Sequence, residues 1–165
     1  MSHVTVEIRQ LGAGNVALMR GALWMFGEAF GEVSTYTANQ PSDDYLERLL
    51  RGDSLIAVAA LKRGEVVGAI VAYELRKFEQ ERSEIYIYDL AVAAPHRREG
   101  VATAMIETLR HIAVERGAHA VFVQADTGVE DEPAIALYTK LGRREEVLHF
   151  DLLDAPPRQG DPEHT

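Results

Sequence analysis

The chain has 165 residues, 47% hydrophobic and 26% charged, with a net charge of −9 and no cysteine. That length suits one domain with a substantial core, and the missing cysteine excludes disulfides, thiolate metal sites and a cysteine-linked acyl-enzyme. The acidic balance argues against a nucleic-acid partner, whose phosphates need a basic face, and suits a cationic ligand.

No apolar run approaches about 20 residues and the N-terminus is not signal-like, so the expectation is a cytoplasmic protein without a membrane segment. Val4, Val6 and Ile8 alternate with polar neighbours and predict a first strand. Asn15 is placed to cap a helix in which Leu18, Met19, Ala22, Leu23, Phe26 and Phe30 recur at three- and four-residue spacing. Gly27 and Gly31 predict that this helix frays or bends near its end. Residues 32–40 lack periodicity and read as a loop. A second helix starts at Pro41–Ser42, carries Asp43 and Asp44 in its first turn and stops near Gly52. Apolar runs at 54–61 and 66–75 flank the turn Lys62-Arg63-Gly64-Glu65 and predict a hairpin.

After a charged connection at 76–82, a strand runs to Val92. The chain breaks at Pro95, turns through arginines to Gly100, and becomes a helix from Val101 to about Arg116, stopped by Gly117. A strand follows at 120–125, then a short helix opened by Pro133 and closed by Gly142. Residues 145–152 alternate and predict a last strand, and those from 155 onward predict a frayed tail. The order β-α-α-β-β-β-α-β-α-β predicts a layered α/β domain over 1–154, with a mixed sheet covered by helices.

The stretch 84–105 carries the chemistry. A strand ending at a glycine loop that opens a helix holds anions well, because first-turn N–H groups and the positive end of the helix dipole converge there. No P-loop, dinucleotide fingerprint or Gly-x-Ser-x-Gly elbow is present. The six histidines never fall at a paired metal spacing, so no metal site is expected. Asp89 is the one charged residue in its strand after Glu84. Strict alternation would set it beside Ile85, Ile87 and Ala91, a costly place for a lone carboxylate. Three arrangements relieve that cost: a partner, a place at an open gap, or a bulge that turns the residue outward.

The run Arg97-Arg98-Glu99-Gly100-Val101-Ala102 resembles the Gln/Arg-x-x-Gly-x-Gly/Ala motif of the GNAT N-acetyltransferase superfamily. Segments including KFEQERSEIYIYDLAV and AIALYTKLGRREEVLHFD further resemble the aminoglycoside 3-N-acetyltransferase group that modifies gentamicin-type antibiotics. The resemblance implies a GNAT fold with splayed central strands and acetyl-CoA as acetyl donor. It places the pyrophosphate on Arg97, Arg98, Glu99, Gly100, Val101, Ala102 and Thr103, and the pantetheine arm along Leu90, Ala91 and Val92. It makes Asp89 the base or amine-orienting residue and Tyr138 the acid that protonates the leaving sulfur or a simple hydrogen-bonding partner of that sulfur.

A cationic aminoglycoside calls for carboxylates, and the candidates are Glu84, Asp126, Glu130, Asp131 and Glu132, with Glu32 and Tyr36 in the loop after the first helix. Glu130-Asp131-Glu132 departs from the group's pattern, which leaves substrate range open. The group also implies a possible homodimer. Two other readings stand beside this one: a GNAT enzyme for another polyamine or peptide amine, and a weakly catalytic acyl-CoA-binding module.

Overall fold

The computed structural model describes residues 5–153, so Val4 and the expected tail from 155 lie outside the described residues. The chain divides into two units, Met1–Phe122 and Val123–Thr165. Five strands form one sheet: β1 (Glu7–Gln10), β2 (Leu55–Lys62), β3 (Glu65–Arg76), β4 (Ser83–Val92) and β5 (Ala118–Val123). Their spatial order is β1-β2-β3-β4-β5. The first four pair antiparallel in succession, as the hairpin and its neighbours predict. The fold is a layered α/β fold, a mixed sheet flanked by helices.

Strands β2 and β3 are apolar at nearly every position because both of their faces are covered. On one face, Ala57, Ala59, Leu61, Ala69, Val71 and Ala91 meet Met19, Met25 and Phe26 of α1 (Val16–Phe30), and Leu46 and Leu50 of α3 (Asp43–Arg51). The opposite face belongs to α4 (Val101–Arg116), whose Met105 and Leu109 are fully buried with Ile56, Val58, Ile70 and Ile85. Helix α3 starts as expected, with the Ser42 hydroxyl accepting from the Tyr45 N–H at 3.2 Å.

Three local expectations are corrected. Asn15 precedes α1, but its side chain accepts from the Gly12 N–H at 2.8 Å and bonds to no N–H of the helix. Residues 32–40 are not all loop, because α2 (Val33–Thr37) forms there. It forms because Gly27, inside α1, has no side chain: a Cβ there would lie 3.1 Å from the Val33 Cα and 3.3 Å from the Tyr36 Cβ. Gly27 thus seats a second helix where a bend was expected, and α1 ends at Gly31 in the left-handed conformation.

The third correction concerns 145–152, which are neither helix nor strand. Alternation makes a strand only where a neighbour completes the ladder. Here side chains of both parities are solvent-facing, Leu148 at 84% and Val147 at 66% exposed. In the second unit, α5 (Glu132–Leu141) starts with Pro133 in its first turn, as the sequence predicts.

Candidate active site

Asp89 occupies the middle of β4, opposite β3. Val71 pairs with Asp89 while the adjacent Ala72 pairs with Ile87, so β4 carries one extra residue, Tyr88. This β-bulge resets the alternation. Asp89 leaves the face of Ile85 and Ile87, both buried, and joins the face of Glu84, Tyr86 and the cross-strand Tyr73. It also has a partner, since the Tyr36 hydroxyl donates to Asp89 Oδ2 at 3.0 Å. Two of the three ways of accommodating this carboxylate are therefore realised together.

Tyr36 reaches Asp89 from α2, and its ring is fixed by aromatic neighbours on α1. Its centroid lies 6.1 Å from that of Phe26 and 5.9 Å from that of Phe30. Glu32 precedes α2 and is half-buried. Near Asp89 the surroundings are phenolic. Burial, then Tyr88, Tyr45 and Asp89, push the Tyr73 phenol above its usual range; burial, Tyr88 and Asp89 do the same to Tyr86. Both therefore stay neutral hydrogen-bonding groups beside an anion.

Beyond Val92 the chain builds an anion cradle. Ala93 donates its N–H to the Val67 carbonyl at 2.8 Å, and a 3-10 turn, Ala94–His96, follows. Arg97 folds back, its Nε donating to the Val92 carbonyl at 3.0 Å, so this arginine braces the loop. Arg98 and Gly100 both take positive φ, 63° and 80°. Gly100 adopts this conformation without strain, whereas Arg98 is a non-glycine residue held in it. Left-handed residues in such a turn aim successive N–H groups into one concavity.

The first i→i−4 bond of α4 runs from Ala104 to Gly100, so the N–H groups of Val101, Ala102 and Thr103 precede the intrahelical ladder. No side chain caps them, and no acidic residue lies in that first turn. The cradle fits a pyrophosphate such as that of acetyl-CoA. Glu99 lies 3.9 Å from Lys62 and 3.8 Å from His96, which keeps its charge engaged at the rim. Leu90, Ala91 and Val92 form the strand end that leads into this loop.

The structure thus brings Asp89 and Tyr36 together in the first unit, with the cradle one turn beyond the same strand. Glu84, on the Asp89 face, is already matched by Lys77 at 3.5 Å and by His119 at 3.4 Å. Asp126, Glu130, Asp131, Glu132 and Tyr138 belong to the second unit. There the Asp131 carboxylate accepts from the Asp126 N–H at 3.0 Å. Burial pushes the Asp131 carboxyl upward, the hydrogen bond from the Asp126 N–H pulls against it, and the charges of Asp126 and Glu130 add to the rise. The Tyr138 phenol is pushed up to about 12, by burial first and by Asp131 second.

The tyrosines of β3 and β4 that surround Asp89 are not marked by any motif in the sequence. Their alternation in Tyr86-Ile87-Tyr88 was the available signal. The Arg97 brace left no signal at all.

The chain matches the acetyltransferase (GNAT) family over residues 8–142. It is similar to aminoglycoside acetyltransferase HMB0005 from an uncultured soil metagenomic sample, with 60% identity and a TM-score of 0.89, covering 92% of this chain and 99% of that one. It is also similar to aminoglycoside acetyltransferase meta-AAC0020, likewise from an uncultured soil metagenomic sample, solved with sisomicin and with trehalose. That likeness is 26% identity and a TM-score of 0.82, over 91% of this chain and 97% of that one. Among curated proteins, N-acetyltransferase 8 of Rattus norvegicus is 24% identical over 119 residues, 65% of this chain and 53% of that protein. The chain spans about half the length of the curated relatives it matches. Strand, cradle and helix in this order, together with the match over most of the chain, place it plainly: the protein belongs to the acetyltransferase (GNAT) family.

Proposed function

We propose that this acetyltransferase modifies an aminoglycoside, and that its target is the 3-amino group of the deoxystreptamine ring in gentamicin-type drugs. One observation carries the reading: a bulge turns Asp89 off the face of Ile85 and Ile87 and onto the face of Tyr73 and Tyr86, where Tyr36 holds it. A carboxylate so placed suits an ammonium substrate. The 60% identity to an aminoglycoside acetyltransferase over 92% of the chain supports the substrate class. The sisomicin complex of a more distant relative supports it as well.

Acetyl-CoA supplies the acetyl group as an activated thioester. Arg98, Gly100 and the first-turn amides of α4 hold its pyrophosphate. Asp89 binds the substrate ammonium and takes its proton, directly or through water. Tyr36 holds Asp89 Oδ2, leaving Oδ1 to face the amine and take its proton. Backbone N–H groups near Leu90 or Val92 act as oxyanion-type donors to the reacting carbonyl. With no cysteine to carry an acetyl group, transfer is direct within a ternary complex.

Tyr138 contributes differently from a simple acid. A phenol near pKa 12 opposite a thiolate whose acid has pKa about 8.5 faces full proton transfer uphill by about 5 kcal/mol. Its role in this reading is a hydrogen bond to the departing sulfur, with the proton reaching the thiolate from solvent or the substrate amine.

Thiol release from acetyl-CoA, followed with gentamicin, sisomicin, spermidine and a short peptide, tests the substrate class. Release with the two drugs is expected. Release with spermidine or the peptide alone would reassign the substrate, and acetyl-CoA binding without release would make the chain a binding module.

A further inference from the structure

The bulge does more than turn Asp89. It sets two successive side chains, Tyr88 and Asp89, opposite the single residue Val71. Tyr88 lies edge-on to Tyr73, with centroids 5.7 Å apart at 80°, and edge-on to Tyr86, at 6.1 Å and 80°. Tyr86 in turn stacks on Phe122 at 4.9 Å with the rings 6° from parallel. Two perpendicular neighbours hold the Tyr88 ring in one orientation while the residue stays 51% exposed. Because Tyr73 pairs with Tyr86 across the strands, these rings share the face that carries Asp89 and Glu84. The result is a fixed aromatic wall with a carboxylate at each end.

Such a wall selects a particular chemistry. The face of a phenol ring attracts both positive charge and polarised C–H groups, and a ring already held in place loses little conformational freedom when a ligand stacks on it. A polyamine or a peptide N-terminus satisfies Asp89 but offers no flat C–H face to cover the ring. A saccharide ring offers that face, and an amino sugar adds the charge.

We propose that Tyr88, held by Tyr73 and Tyr86, is a stacking wall for an amino-sugar ring of the substrate, while the neighbouring aminocyclitol presents its amine to Asp89. The wall is a specificity element for multi-ring ligands. It rests on the reading of Asp89 as the residue that meets the substrate amine.

The test compares multi-ring sisomicin with the single-ring 2-deoxystreptamine, measuring kcat/KM for each with wild type, Y88A and Y88F. The quantity read is the ratio of the two efficiencies, which cancels effects common to both substrates. The ratio is expected to fall about tenfold in Y88A and to stay near the wild-type value in Y88F, which keeps the ring. Phe78, fully exposed at the β3–β4 turn, provides a surface control in F78A. An unchanged ratio in Y88A, or equal losses in Y88A and Y88F, overturns the wall.

If wild type acetylates neither ligand, the functional reading fails on its own. The wall is then judged by sisomicin binding in calorimetry. Weaker binding to Y88A than to Y88F supports it, and equal or absent binding overturns it.

Discussion

Replacing Tyr36 by phenylalanine removes the oxygen that donates to Asp89 Oδ2 at 3.0 Å. The ring stays, and with it the contacts to Phe26 and Phe30 near 6 Å, so what is lost is the hydrogen bond and not the packing. A hydrogen bond to a charged group is worth about 1.5–3 kcal/mol, and this pair is only part-buried, which favours the lower figure. About 1.5 kcal/mol spent on orienting the reactive carboxylate is roughly tenfold in kcat.

The assay is thiol release at saturating sisomicin and acetyl-CoA between about pH 5.5 and 9, with Asp89→Asn as the floor and KM for acetyl-CoA as the control for the cradle. Unchanged kcat would refute the positioning role. So would a fall in kcat matched by a fall in folded fraction.

Gly27→Ala tests the same contact from behind. A Cβ 3.1 Å from the Val33 backbone pushes α2 outward at about 1–3 kcal/mol, against about 1 kcal/mol gained from helix propensity. A net loss of about 1 kcal/mol lowers Tm by about 3 °C, and kcat should fall with it as Tyr36 is displaced; wild-type kcat and Tm would contradict the seat. Tyr138→Phe should lower kcat without moving any limb of the pH profile up to about pH 10, because a phenol near 12 does not ionise in that range; loss of a basic limb would show that Tyr138 titrates. For Asp131, burial raises the carboxyl in the folded state, so its favourable share of stability is present at low pH and lost as pH rises through the folded value. Asp131→Asn should therefore raise Tm more at pH 7 than at pH 4, measured by thermal unfolding, and the reverse order would contradict the burial.

Much of the cradle was legible because its punctuation is local. Pro95, Gly100 and Gly117 bound a strand, a turn and a helix that the structure reproduces at Val92, Val101 and Arg116. The direction of Asp89 was not legible. A bulge is a relation between two strands, and nothing within residues 83–92 says that Val71 faces Asp89 while Ala72 faces Ile87. Helix α2 was missed for a similar reason, since five residues without periodicity form a helix only because Gly27 leaves them a seat. The alternation at 145–152 misled in the opposite direction, for it lacks the neighbour that a strand needs. Tyr36 and Asp89 were both named from the sequence, but 53 residues separate them, and only the fold shows that the hydroxyl of one donates to the carboxylate of the other.

The central claim is tested most directly by the position of the acetyl group. Sisomicin acetylated by this protein, purified and assigned by two-dimensional NMR, should carry one acetyl on the 3-amino group of the deoxystreptamine ring, with the mass raised by a single acetyl. Acetyl on any other nitrogen would keep the enzyme and the Asp89 site but contradict the 3-amino assignment, and sisomicin recovered unmodified in the presence of acetyl-CoA would contradict the account as a whole.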